Sequence, residues 1–296
     1  MLEFDGLRKS YGTNLVLDDV SFAVAPGQMY GFCGANGAGK TTTMRIALGL
    51  ARADAGQVRW AGRTVDLEVR RRIGYMPEER GLYPKMPAAE QLEYFARLHG
   101  MNAAAAKKSA AELLDGMGLG ERSKDALEKL SLGNQQRVQL AAALVSNPDV
   151  LILDEPFSGL DPTGVDALAG NLAERRSRGV PVLFSSHQLD LVERLCDAVG
   201  ILAGGKMVAS GTVDQLRERE ADRQLRVVIP GCDGGWAREL DFAHVASDRD
   251  GEVLLQLDDP SRDQDVLSAA MAAGSVAQFG WRQPTLVEIF REAVAA

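Results

Sequence analysis

Gly34-Ala35-Asn36-Gly37-Ala38-Gly39-Lys40-Thr41-Thr42 follows an apolar run over 28–33 and opens a helical pattern over 41–50. The spacing G-x-x-x-x-G-K-[ST] is met without a mismatch. Glycines let the backbone wrap closely around a phosphate with its amides pointing inward. The helix that follows directs the positive end of its dipole at the same anion. The stretch from Gly34 to Thr42 is therefore expected to cradle a nucleotide. Lys40 neutralises β- and γ-phosphate oxygens in this reading, and the Thr41 hydroxyl is a Mg²⁺ ligand.

Strand, loop and helix in that order continue outward along the chain. Residues 15–24, 150–154 and 180–185 read as further strands, the last two short and rich in Val, Leu and Ile as buried strands are. Strands alternating with helices predict an α/β fold, a largely parallel sheet with helices on its faces. A helix-rich stretch at about 87–147 is inserted in it. Pro87 opens its first helix, with Leu92, Phe95, Ala96 and His99 on an apolar face and Gly100 closing it; His99 is expected to be packed in the core. No motif occurs in tandem.

The run 150–153 ends in Asp154-Glu155-Pro156. In open α/β sheets, ligand chemistry sits at the carboxyl ends of strands. Asp154 is expected to hold Mg²⁺, and Glu155 to orient or deprotonate the attacking water. Two adjacent ionised acids beside a triphosphate repel, so the metal is what lets both stay charged. His187, after Phe184-Ser185-Ser186, is positioned to reach a γ-phosphate.

With these pieces in this order the chain resembles the ATP-binding-cassette (ABC) ATPases over about residues 1–215. Leu130-Ser131-Leu132-Gly133-Asn134-Gln135-Gln136-Arg137 resembles the family's LSGGQ signature, with Leu132 for the first Gly and Asn134 for the Gln. Ser158-Gly159-Leu160-Asp161 looks like the D-loop. Tyr11 stands where the family has an aromatic residue that stacks on adenine. The resemblance implies two ATP-binding domains closing head to tail, the signature residues Ser131, Gly133 and Asn134 and the D-loop residue Asp161 of one completing the nucleotide site of the other. Ser131 and Gly133 precede an apparent helix over 135–144, an anion-binding end.

One position departs from the family. After Pro77 the family usually has Gln, and here stands Glu78. A carboxylate still binds Mg²⁺ through oxygen but adds negative charge, which Arg80 is placed to compensate. Glu78, the GLYPKM segment at 81–86 and a tail ending PTLVEIF together look like bacterial ABC exporters of the sodium- and drug-efflux type. In those the ATPase is a separate subunit docked on a membrane permease.

The remaining sequence agrees with that partner. The chain has 296 residues, 46% of them hydrophobic and 25% charged, enough for a sizeable core and too apolar for disorder. A net charge of −8 argues against nucleic acid as a partner. Cys33, Cys196 and Cys232 form no CxxC pair, which reads as reduced and cytosolic. The N-terminus lacks the basic-then-apolar pattern of a signal peptide, and no apolar run nears the ~20 residues of a membrane helix. A permease would thus be another chain, and this one would sit on the cytoplasmic face of the membrane, as a homodimer or with a paired ATPase subunit. The competing classes are a soluble ABC ATPase without a transport role and a nucleotide-driven dimerising regulator.

After Gly211 the pattern changes. A charge-dense stretch over 217–226 comes first, and alternating runs at 225–229 and 253–257 follow it. Asp259-Pro260 starts one helix and Thr285 another, with Glu288 completing a capping box and Leu286, Ile289, Phe290 and Val294 as its apolar stripe. The expected division is an ATP-binding domain over 1–218 and a small α+β accessory domain over 222–296, with His244 outside any chemistry.

Overall fold

A computed structural model describes residues 1–79, 81–220, 224–282 and 284–295. Arg80, the candidate compensating cation, and residues 221–223 of the charge-dense stretch lie outside them. The chain divides into two units, Met1–Val213 with Glu292–Ala296, and Asp214–Arg291.

The first unit opens with a hairpin, β1 (Leu2–Tyr11) and β2 (Asn14–Val24), whose antiparallel pairing is interrupted by register shifts. β3 (Met29–Cys33) runs into α1 (Lys40–Ala47). β4 (Ala55–Trp60), β5 (Arg63–Thr64), α2 (Leu67–Arg70) and β6 (Ile73–Met76) follow. The helical stretch consists of α3 (Ala88–Leu98), α4 (Ala103–Gly116) and α5 (Leu132–Leu144). The chain then returns through β7 (Val150–Leu153), α6 (Pro162–Ser177), β8 (Val182–Ser186), α7 (Leu189–Leu195), β9 (Ala198–Ala203) and β10 (Lys206–Thr212).

These strands build two sheets. The six-stranded sheet has the order β10-β9-β3-β8-β7-β6, parallel except for β10 at its edge. Strands β3, β7 and β8 are buried along their whole length, as strands covered on both faces must be, and this explains the apolar residues that dominate them, Ser185 and Ser186 at the end of β8 excepted. The second sheet, β2-β1-β4-β5, is antiparallel. Phe22 of β2 joins the two: its ring stacks on Phe4 at 4.2 Å, Phe32 at 5.0 Å and Tyr30 at 5.2 Å.

Because β3 lies between β9 and β8, the loops after β3, β8, β7 and β6 emerge side by side at one end of the sheet. That is the switch-point geometry that opens a crevice for ligands. The helical stretch corrects one expectation. His99 is exposed, not packed in the core: it caps the C-terminus of α3, its Nδ1 at 2.9 Å from the Phe95 carbonyl. Gly100, at φ 92°, ends the helix immediately afterwards, so the last turn faces outward.

The second unit contains α8 (Val213–Glu220) from its second residue, β11 (Gln224–Val228), β12 (Ala243–Arg249), β13 (Glu252–Leu257), α9 (Asp263–Ala273), β14 (Gln278–Trp281) and the first six residues of α10 (Leu286–Ala295). Its sheet, β12-β13-β11-β14, is antiparallel, and Leu225, Val227, Val253 and Leu255 on one face bury against Val266 and Ala270 of α9. Asp259 caps a 3₁₀ turn ahead of α9. The capping box at α10 is formed: the Thr285 amide donates to Glu288 Oε2 at 2.9 Å, and the Glu288 amide to Thr285 Oγ1 at 3.3 Å. Leu286 and Ile289 are buried, Phe290 is half-buried, and Val294 is 48% exposed, so the buried stripe ends a turn earlier than its periodicity suggests.

Candidate active site

A cavity of about 540 Å³ sits where those loops converge. Tyr11, Ala35, Asn36, Gly37, Gly39, Lys40, Thr41, Thr42, Glu78, Asp154 and Glu155 all line it. Two further liners, Asn14 and Val16, belong to no motif; they lie in β2 because the hairpin folds it back beside Tyr11.

The glycine loop fits where side chains cannot. At Gly34 a Cβ would stand 2.5 Å from the Leu202 carbonyl oxygen. At Gly39, φ is 112° and a Cβ would meet Leu17 and Val16. Gly34 and Ala38 are buried behind the cavity wall. Lys40 is 7% exposed, and its Nζ donates to the Gly34 carbonyl at 2.6 Å and the Ala35 carbonyl at 3.3 Å. The ammonium is thus held against the loop that wraps it.

β7 ends in two acids with different surroundings. Asp154 is 1% exposed; its Oδ1 accepts from Ser185 Oγ at 2.6 Å, while its Oδ2 is buried without a partner among the described residues. A carboxylate oxygen left in that state is costly unless a cation or donor meets it. Beside the Thr41 hydroxyl and the Glu78 carboxylate, it makes an all-oxygen donor set that suits a hard divalent cation. Glu155 takes a left-handed backbone, φ 51°, rare for a residue with a side chain. Its amide donates to Ser185 Oγ at 2.8 Å, and its Oε2 lies 2.9 Å from Nδ1 of His187. Ser185 therefore sets both acids, and His187 holds the second. Burial pushes the thiol of Cys33, just ahead of the loop, up to about 12, away from the reactive thiolate form.

Ser131, Gly133, Asn134 and Asp161 do not line this cavity. Ser131 caps α5, its Oγ accepting from the Asn134 amide at 3.4 Å, and Leu132 beside it is exposed. The helix starts three residues earlier than expected, so the signature forms its first turn. Asp161 caps α6 by accepting from the Gly164 amide at 3.0 Å.

Sequence reading missed two buried amides of α5. Gln136 Nε2 donates to the Pro156 carbonyl at 3.0 Å, behind the acids. Gln139 Nε2 donates to the carbonyls of Pro77 at 2.7 Å and Glu79 at 3.2 Å, on either side of Glu78. Their i, i+3 spacing places both amides on one face of the helix, which was the available signal. Gln139 also lines a second, apolar cavity of about 240 Å³, with Gly74, Tyr75, Pro77, Leu82 and Phe95 among its walls.

Residues 17–158 match the family model described as ABC transporter, and residues 211–294 match that of the ATP-binding protein DrrA1-3-like C-terminal domain. The uncharacterized ABC transporter ATP-binding protein YhaQ of Bacillus subtilis is 36% identical over 100% of this chain and 99% of its own length. The daunorubicin resistance ATP-binding protein DrrA3 of Streptomyces coeruleorubidus is 34% identical over 97% of this chain and 93% of its own. A solved structure of the ATP-binding subunit of an ABC transporter superposes with a TM-score of 0.69 at 34% identity, covering 74% of this chain and 92% of that one.

Proposed function

The chain belongs to the ATP-hydrolysing subunits of the ABC transporter family, and on that premise we propose that it powers export through a separate membrane permease. The observation that carries the hydrolytic part is the buried, unpartnered Oδ2 of Asp154 in a cavity that also presents Lys40 and Thr41. Thr41, Asp154 and Glu78 would hold Mg²⁺, which when bound would supply charge neutralisation for the β- and γ-phosphates. The loop amides and Lys40 bind the triphosphate, and adenine stacks on Tyr11. Glu155 takes up the proton of the attacking water or fixes its orientation. His187 keeps that carboxylate in place through Nδ1.

Ser131, Gly133, Asn134 and Asp161 stand outside the cavity of their own chain, which supports a head-to-tail pair in which each signature serves the partner's nucleotide. No helix among the described residues is long and apolar enough to cross a membrane, so a separate chain would provide the pore. For that chain we assign the apolar cavity beside the Glu78 loop, where Tyr83 and Tyr94 leave aromatic surface exposed. The subunit would then work on the cytoplasmic face. Export, and drug-like cargo, draw support from the relative named for daunorubicin resistance. The accessory role of residues 222–296 belongs to the same proposal.

The test is Mg²⁺-dependent ATP turnover by the purified chain, followed by co-purification from a membrane fraction. A chain that binds ATP but turns it over neither alone nor with any membrane protein would overturn the proposal.

A further inference from the structure

Lys9 and Tyr11 are two residues apart on β1, across a register shift between Lys9 and Ser10, and their side chains meet. The Lys9 ammonium stands 5.2 Å from the centroid of the Tyr11 ring, within the range of a cation–π contact. Tyr11 lines the nucleotide cavity and Lys9 does not, so the ammonium meets the ring from outside the cavity. Asp54 holds the cation there: its Oδ1 accepts from Lys9 Nζ at 2.9 Å. The same residue pins the strand on both sides of Lys9. Its Oδ2 accepts from the Ser10 amide at 2.6 Å, and its own amide donates to the Arg8 carbonyl at 2.8 Å.

We propose that Lys9 and Asp54 form a bracket that positions Tyr11 and polarises its ring for the base of the bound nucleotide. Lys9 is a positioning residue here and touches no phosphate. Three features carry this. The Lys9 side chain is only 14% exposed, so its conformation is restricted rather than free in solvent. Its charge is matched by Asp54, so it adds little general attraction for an anionic ligand. The ring it approaches is itself 52% exposed, at the tip of a hairpin where packing alone does not fix an aromatic plane. A cation on one side of a π-system draws electron density toward itself and leaves the other face better suited to an electron-rich purine. The inference rests on the reading of Tyr11 as the adenine platform.

The experiment compares two ligands on the full chain by calorimetry: ATP, which has a base, and inorganic tripolyphosphate, which has none. Lys9→Met should weaken ATP roughly 2–5-fold, the size of an exposed cation–π contact, and leave tripolyphosphate as in the wild type. Lys9→Arg should restore ATP affinity. Asp54→Asn, which keeps an acceptor for the Ser10 amide but releases the ammonium, should weaken ATP alone and by less. It also serves if Lys9→Met does not fold. Equal losses for both ligands, or no loss for ATP, would overturn the bracket. Tyr11→Ala separates the two readings. If it leaves ATP affinity unaltered, the platform itself is wrong; if it weakens ATP while Lys9→Met does not, only the bracket fails.

Discussion

Lys40 is the side chain on which we expect nucleotide retention to depend most directly, because among the described residues the cavity walls offer loop amides and no other cation. Lys40→Ala should lose most ATP affinity, measured by equilibrium binding, while the loop's own glycines keep the fold. Glu155→Gln tests a different step. It keeps shape and an acceptor for His187 and removes the base, so ATP binding should persist while hydrolysis slows by about 10²–10⁴-fold, read as single-turnover rates. Binding lost together with turnover would place Glu155 in the cradle instead. Glu78→Gln should retain folding and appreciable turnover but, with a neutral oxygen in place of an anionic one, need more Mg²⁺, seen as a Mg²⁺ titration shifted to higher concentration. These residues were legible in sequence because each sits at a fixed offset from a strand end. Asn14 and Val16 were not, since a hairpin rather than a motif brings them to the cavity.

At the scale of elements, the capping box of α10 makes a measurable claim. Donation from the Thr285 amide, with Arg282 nearby, holds the Glu288 carboxyl below its ordinary range, and the Arg226 guanidinium does the same for Glu252 in the neighbouring sheet. A carboxyl depressed in the folded state contributes stability above its unfolded pKa and loses it as pH falls through the folded one. Glu288→Gln should therefore lower the melting temperature at neutral pH, and the gap to wild type should close as pH falls below the ordinary carboxyl value of about 4.5. Thr285→Ala should cost about 1 kcal/mol, the usual worth of a cap. The box was visible in the sequence because it is a local device, four residues long. The antiparallel sheet was less so: β1 pairs with shifts after Phe4, Leu7 and Lys9, which break the period of two that marks a strand. His99 misled for a related reason, since helical spacing says nothing of which turn is the last.

For the whole molecule, the decisive test is complementation. Neither Lys40→Ala nor Ser131→Arg chains should hydrolyse ATP well alone. Mixed, they can form one composite site from an intact cradle and an intact signature, and turnover should return in part. Removing residues after about 218 should leave nucleotide binding in place, because the second unit keeps a core of its own around Leu225, Val227 and Leu255. Two cores were foreseeable from the change of pattern after Gly211. The proposed pairing of chains was reached through the family resemblance alone, since one chain's sequence would carry only half of each composite site.

Helix α5 has a consequence that reaches beyond either site. Its first turn carries Ser131 and Asn134, which we propose serve the partner's nucleotide, and within two turns Gln136 and Gln139 grip the turn behind Glu155 and the loop around Glu78. At 13 residues it is a rod about 20 Å long. A crankshaft of that kind does not let its two ends keep separate time. In the proposed head-to-tail pair, the arrival or loss of one nucleotide would shift the gearing of the other, so turnover plotted against ATP concentration should rise sigmoidally. Gln139→Leu, which unhooks the loop from the rod, should flatten that curve toward a hyperbola.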